Sequence, residues 1–199
     1  MREALGGVSL AFVLIAATLG IVAWPTAQAG HFTGATGLTG CVAPNMADNN
    51  THSFYYDGSL PQYMRTQVNA VRAESYDPTD INTVTSSNPN SQTDVVAYQQ
   101  NYTTYCGIAW HGSGGSAVGH VRCVSLSGSA CQKFEMRFDS SFTSSATTGM
   151  RKNLACHESG HTLGLGHRAS IGNSCMWGAV VGSLQSIDQH DRDALNAHY

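Results

Sequence analysis

The sequence predicts an α+β domain in which a run of strands is framed by helices. Three patterns carry this expectation. Leu60, Met64, Val68 and Val71 recur at helical spacing. Short segments between residues 80 and 139 are rich in strand formers and are separated by Asn, Ser and Gly. Met150, Leu154, His157 and His161 then fall at i, i+4, i+7 and i+11, one helical stripe with an apolar part and a histidine part.

At the start of the chain, Met1-Arg2-Glu3 precede an almost unbroken apolar run from Val8 to Trp24, followed by Pro25, Thr26 and Ala27-Gln28-Ala29. A charged start, an apolar middle and a small-x-small end predict a secretory signal over residues 1–29, cut before Gly30. The run also approaches the length of a membrane anchor, but the Ala-x-Ala site favours cleavage. Residues 30–199 then make one exported domain with a core of its own. A net charge of −3 without a basic cluster argues against nucleic acid as a partner. The expected form is a secreted, extracellular monomer with no stable membrane span after cleavage.

His52–Tyr56 reads as a first strand and Asp57-Gly58 as a turn. Pro61 suits the first turn of a helix that continues to about Ala73. Asp80–Thr85, Asp94–Gln99, Cys106–Trp110, His120–Leu126 and Lys133–Asp139 are the strand candidates. Thr147 or Thr148 is positioned to cap the next helix, and Gly164 or Gly166 to end it. Gly160 inside that helix costs roughly 1 kcal/mol relative to Ala, which implies close packing at that point. A short closing helix is expected near the C-terminus, with Ser186 as its cap and Ile187, Leu195 and Tyr199 as apolar contacts.

Residues 157–167 read His-Glu-Ser-Gly-His-Thr-Leu-Gly-Leu-Gly-His, or HExxHxxGxxH. Four residues apart on a helix, His157 and His161 present two imidazoles on one face to one metal ion. Gly164 lets the chain leave the helix and bring His167 back to the same ion. Three neutral imidazoles leave a fourth position open, as a catalytic rather than a structural zinc requires. Glu158 lies beside the metal without binding it, placed as general base for a zinc-activated water. With this composition the full pattern arises by chance with odds of roughly a few in a hundred thousand. The expected function is zinc-dependent hydrolysis of peptide bonds, with one catalytic Zn2+ and a peptide or protein substrate. The alternative is an exported binding module that keeps zinc for stability; an intact Glu158 argues against it.

Downstream lies Asn173-Ser174-Cys175-Met176-Trp177-Gly178, with Met176 nine residues after His167. The long motif followed by a Met-containing turn resembles the metzincin clan of zinc endopeptidases, and within it the small secreted bacterial proteases that are matrixin-like. That resemblance implies a zincin-like catalytic domain with a mixed twisted sheet, an active-site helix, a Met-turn and a C-terminal helix. It makes Met176 the apolar floor beneath the histidines, and Gly107–Trp110 the edge strand that aligns a peptide substrate. The residue after the third histidine is Arg168, where matrixins carry Ser and several other families an acidic residue. His190 and His198 are expected at the surface. His111 and His120 flank a Gly-rich loop and are two candidates for a second zinc site; calcium follows from the resemblance alone.

All six cysteines lie after the leader, and six allow 15 pairings. The preferred set is Cys123–Cys131, closing a short loop, Cys156–Cys175, tying the motif helix to the Met-turn, and Cys41–Cys106 by elimination. Each bond would add about 2–4 kcal/mol. The rival reading keeps Cys41 as a thiolate switch on the zinc, which would leave Cys106 unpaired.

Overall fold

The computed structural model describes residues 41, 46–168 and 172–199. The leader expected over residues 1–29 lies outside them, and no helix among the described residues is long and apolar enough to cross a membrane.

Strand β1 (Thr51–Tyr56) leads through a turn into α1 (Gln62–Val71), which Pro61 precedes as expected of a helix start. Met64, Val68 and Val71 are fully buried, so the predicted stripe is the face that packs. Each such side chain contributes about 1.5–3 kcal/mol relative to exposure. The helix widens into a π turn over Arg72–Tyr76, which sets Tyr76 in the core with its hydroxyl donating to Cys156 O at 2.6 Å.

Four parallel strands and one antiparallel strand form the sheet. They are β1, β2 (Asn82–Thr85), β3 (Val95–Gln100), β6 (Gly119–Ser127) and β7 (Ala130–Asp139), in the order β2-β1-β3-β7-β6. The antiparallel member β6 is an edge. Its register slips between Cys123 and Leu126, where the Cys123–Cys131 disulfide spans the irregular end of the β6–β7 hairpin. Two short strands, β4 (Thr104–Tyr105) and β5 (Ile108–Ala109), form a separate hairpin.

The predicted strand Cys106–Trp110 is therefore only partly a strand. Cys106 and Gly107 have φ of 58° and 70° and make the hairpin turn, and Trp110 leaves it to become fully buried. Two strand ends also extend beyond expectation, because β6 and β7 pair with each other up to their connecting turn.

Asp139 caps a four-residue helix, α2 (Ser140–Thr143), accepting from Ser141 N at 2.9 Å. Thr147 caps α3 (Thr148–His161), accepting from Met150 N at 3.2 Å. The closing helix is α4 (Gln189–His198), and its cap is Asp188 rather than Ser186. Asp188 accepts from Asp191 N at 3.1 Å, while Ser186 uses its carbonyl to accept from Cys175 N at 2.9 Å. Between sheet and helices, Phe54, Val95, Phe134 and Met136 meet Met64 and Val68 of α1 and Leu154 of α3 in one core. The fold is α+β with a mixed sheet, a long motif helix and a C-terminal helix, as expected. All six cysteines pair in the preferred set, Cys41–Cys106, Cys123–Cys131 and Cys156–Cys175.

Candidate metal centre

Helix α3 carries His157, Glu158 and His161, and its last residue is His161. The chain turns out at Gly164, whose φ of 89° is the conformation a side chain opposes, and returns with His167. The three Nε2 atoms converge: His157 to His161 is 3.0 Å, His157 to His167 3.1 Å and His161 to His167 3.2 Å.

Two backbone carbonyls orient the rings. Cys175 O lies 2.8 Å from His157 Nδ1, and Leu165 O lies 2.8 Å from His161 Nδ1. A carbonyl accepts, so each Nδ1 donates and each Nε2 keeps its lone pair. Burial holds His157 down at about 4 and His161 well below the usual imidazole range, with the neighbouring histidines acting in the same direction. Burial also lowers His167. Two lone pairs 3.0 Å apart repel unless a cation lies between them. These separations are close to those of nitrogens each about 2.0–2.1 Å from one tetrahedral zinc ion. The donor set fits such an ion.

Glu158 is only 4% exposed, and its Oε2 is buried with no hydrogen-bond partner. Burial pushes its carboxyl up to about 8, a shift that a nearby cation would oppose. Its Oε1 lies against Gly119, where an added Cβ would come within 2.3 Å. Gly119 opens β6, so the sheet edge meets the motif helix at the carboxylate. Nothing in the local sequence marks this glycine.

The turn that carries Met176 is fastened to α3 in three ways. The Cys156–Cys175 disulfide precedes the first motif histidine, Cys175 O holds that histidine, and Met176 packs at Gly160. A Cβ at Gly160 would lie 2.4 Å from Met176 Sδ and 3.1 Å from Tyr76 Oη, which identifies the close packing that a helical glycine implied. Ala at position 160 is expected to destabilise the fold. The helix gains roughly 1 kcal/mol of propensity, but overpacking a fully buried Met176 costs about 1–3 kcal/mol and shifts the turn. Thermal unfolding of Gly160→Ala checks this; an unchanged midpoint would show that Met176 withdraws freely.

Arg168 ties the same turn to α4. Its backbone N–H donates to Met176 O at 2.9 Å, and its guanidinium reaches Asp188 at 2.5 Å, Asp191 at 3.4 Å and His190 Nδ1 at 2.7 Å. Asp191 is fully buried and also accepts from Ser174 Oγ at 2.5 Å. Asp188, His190 and Asp191 stand together as potential ligands, but the Arg168 guanidinium already occupies the space between them, pairing with both carboxylates. His190 is accordingly half-buried in this network rather than on the surface, while His198 is exposed.

A cavity of about 740 Å³ opens over the three histidines and Glu158. Val118 just before β6, Val121 within it, Phe142, Leu154 and Val180 give it apolar walls. Asn153 holds the wall loop by donating to Leu184 O and accepting from Val181 N at 3.2 Å. The expected edge strand is not part of the main sheet: Gly107–Trp110 lies in and beside the separate hairpin, from which Ile108 still lines the cleft, and the main-sheet edge at the cleft is β6. His111 and His120 also line the cavity, but His111 Nδ1 pairs with Ser141 Oγ at 3.0 Å. Among the described residues, no group of three potential ligands contains both.

No protein-family model and no curated protein matches this sequence. Among solved structures, the chain is similar to two of myroilysin and one of metalloproteinase-II from Bacteroides fragilis. The first myroilysin structure shares 16% identity over 61% of this chain and 46% of that one, with a TM-score of 0.38. For the second the values are 12%, 77%, 82% and 0.49. For the Bacteroides fragilis protein they are 13%, 85%, 59% and 0.46. The chain thus spans less than half the length of the first and under two thirds of the third. At this identity the likeness concerns the fold alone, and the chemistry is read from the site.

Proposed function

We propose that this chain is a secreted zinc endopeptidase of the metzincin type, with residues 30–199 as its catalytic domain and residues 1–29 as a signal peptide. His157, His161 and His167 are the metal ligands and Glu158 is the general base. The observation that carries the reading is the convergence of three Nε2 atoms within 3.2 Å, beside a buried carboxyl and at the floor of an open cleft.

Bound at these nitrogens, zinc supplies Lewis-acid chemistry, polarising a peptide carbonyl and making water nucleophilic near neutral pH. The protein does the rest. Cys175 O and Leu165 O keep the two helical imidazoles in the tautomer that ligates. Glu158 takes a proton from the attacking water at its carboxylate and delivers it to the leaving amine. Gly119 leaves the space in which that carboxylate sits. The outer edge of β6, terminal in the sheet among the described residues, receives an extended peptide as an added strand, and the apolar walls exclude water around the scissile bond. Such a site acts on peptides or proteins and has no need of a second subunit.

The test is cleavage of an unfolded protein by the purified chain, with metal content measured in parallel. Cleavage should stop with a zinc chelator and return with added zinc at one ion per chain. Cleavage that survives complete metal removal would refute the metalloprotease reading. Bound zinc without any cleavage would favour the non-catalytic binding module.

A further inference from the structure

Two of the three disulfides are internal: Cys123, Cys131, Cys156 and Cys175 are each no more than 1% exposed. The third differs. Cys41 is exposed, and Cys106 is half-buried in the turn of the β4–β5 hairpin. Cys41 lines the cleft, and so does His120 on the β6 edge. A ring nitrogen of His120 and both sulfurs lie within 4.8 Å of one another. His120 Nε2 is buried and has no hydrogen-bond partner.

We propose that Cys41, Cys106 and His120 form a second metal site, shut while the two sulfurs are bonded and opened when an external dithiol reduces them, which then takes one zinc ion. The reduction is ordinary exchange. A thiolate of the reagent attacks one sulfur, the S–S bond breaks, and the resulting mixed disulfide is resolved by the reagent's second thiol. Two electrons pass to the protein, which ends with two thiols, and the reagent leaves as its own disulfide. Binding Zn2+ then releases the two thiol protons to solvent.

The chemistry of the trio suits this ion. Two thiolates and a neutral imidazole balance a divalent charge, so the loaded site adds no net charge to the cleft rim. Of the nearby cations, Arg122 and Arg137 both pair with Glu135 at 2.8 Å, which partly offsets their charge. Burial, with Arg122 and Arg137 adding to it, lowers His120 and favours the ligating form of the ring. Ion and disulfide are thus alternative clasps between the same two points of the chain, 65 residues apart. Exposure of Cys41 explains why this bond is the one a reductant reaches first. Nothing here depends on the protease reading, because sulfur ligands distinguish this site from the three-histidine centre.

Cobalt(II) is the probe, as thiolate-to-cobalt charge transfer gives a near-ultraviolet band that imidazole ligands do not. The full chain is treated anaerobically with a mild dithiol, freed of reagent, and its thiols are mapped by alkylation. Alkylation should mark Cys41 and Cys106 only, and cobalt should rise by one ion per chain with appearance of the band. Cys106→Ser should abolish the band. His120→Ala should weaken the added site by about 10–100-fold or more, a loss seen even for outer-sphere partners. No band in the selectively reduced chain, a band that persists in Cys106→Ser, full affinity in His120→Ala, or alkylation of Cys156 and Cys175 first would each overturn the proposal. Cobalt uptake by the oxidised chain reports separately on the histidine centre.

Discussion

Glu158→Ala is expected to keep one zinc ion per chain and to lower peptide-bond turnover by about 10²–10⁴-fold. The two halves of this result test different things. Metal retention follows because Glu158 is not among the converging nitrogens, whose rings are oriented by Cys175 O and Leu165 O. Loss of turnover follows because no other carboxyl among the described residues lines the cleft. The fold should not suffer. Glu158 has a buried oxygen without a partner, and leaving such a group unsatisfied costs about 1–3 kcal/mol. Removing it relieves that cost, and the space it leaves opens to the cleft rather than becoming a closed void. The thermal midpoint of Glu158→Ala should therefore equal or exceed that of the parent, as expected where function is kept at the expense of stability. A variant with near-normal turnover would dismiss Glu158 as the base. One that loses its zinc would instead make the residue part of the metal-binding set.

Much of the fold was legible because its determinants are local. Thr147 precedes a helical stripe and caps it; Gly164 follows it and turns the chain. The cysteines eight and 19 residues apart pair, since short loops close at little entropic cost. Grouping of the three histidines follows from helix geometry and one glycine turn. The features that escaped prediction depend on distant segments. Gly119 is small because Glu158, far along the chain, stands against it. Gly160 signalled a close approach, but only the fold shows Met176 and Tyr76 as the partners. Cys106–Trp110 has strand composition, yet two residues with positive φ and the burial of Trp110 divide it between a turn and the core. Position 168 looked anomalous because local sequence does not show that α4 brings two aspartates to meet it.

That network supports the second large effect: Arg168→Ala should destabilise the protein by about 3–5 kcal/mol at neutral pH, the cost typical of stripping one partner from a buried ion pair. Asp191 is wholly buried, and its carboxylate otherwise meets Ser174 Oγ at 2.5 Å and His190 Nδ1 at 3.6 Å. Without the guanidinium its charge is left in low dielectric. Burial already raises the Asp191 carboxyl above its ordinary range, and removing a cation raises it further. The sign follows from that direction. With a folded pKa above the unfolded one, the folded state holds the proton more tightly, so acidification through this interval favours folding. The deficit of Arg168→Ala should accordingly be largest at neutral pH and shrink as pH falls toward the unfolded carboxyl value of about 3.9, since a neutral Asp191 needs no cation. Arg168→Lys should fall between the two, keeping the charge but losing the fork that reaches both carboxylates. Because the guanidinium anchors the residue next to His167 to α4, the same variant should weaken zinc binding along with stability. Denaturant unfolding of the metal-free proteins across pH separates the two effects. A deficit that does not change with pH would place the role of Arg168 in packing rather than in charge.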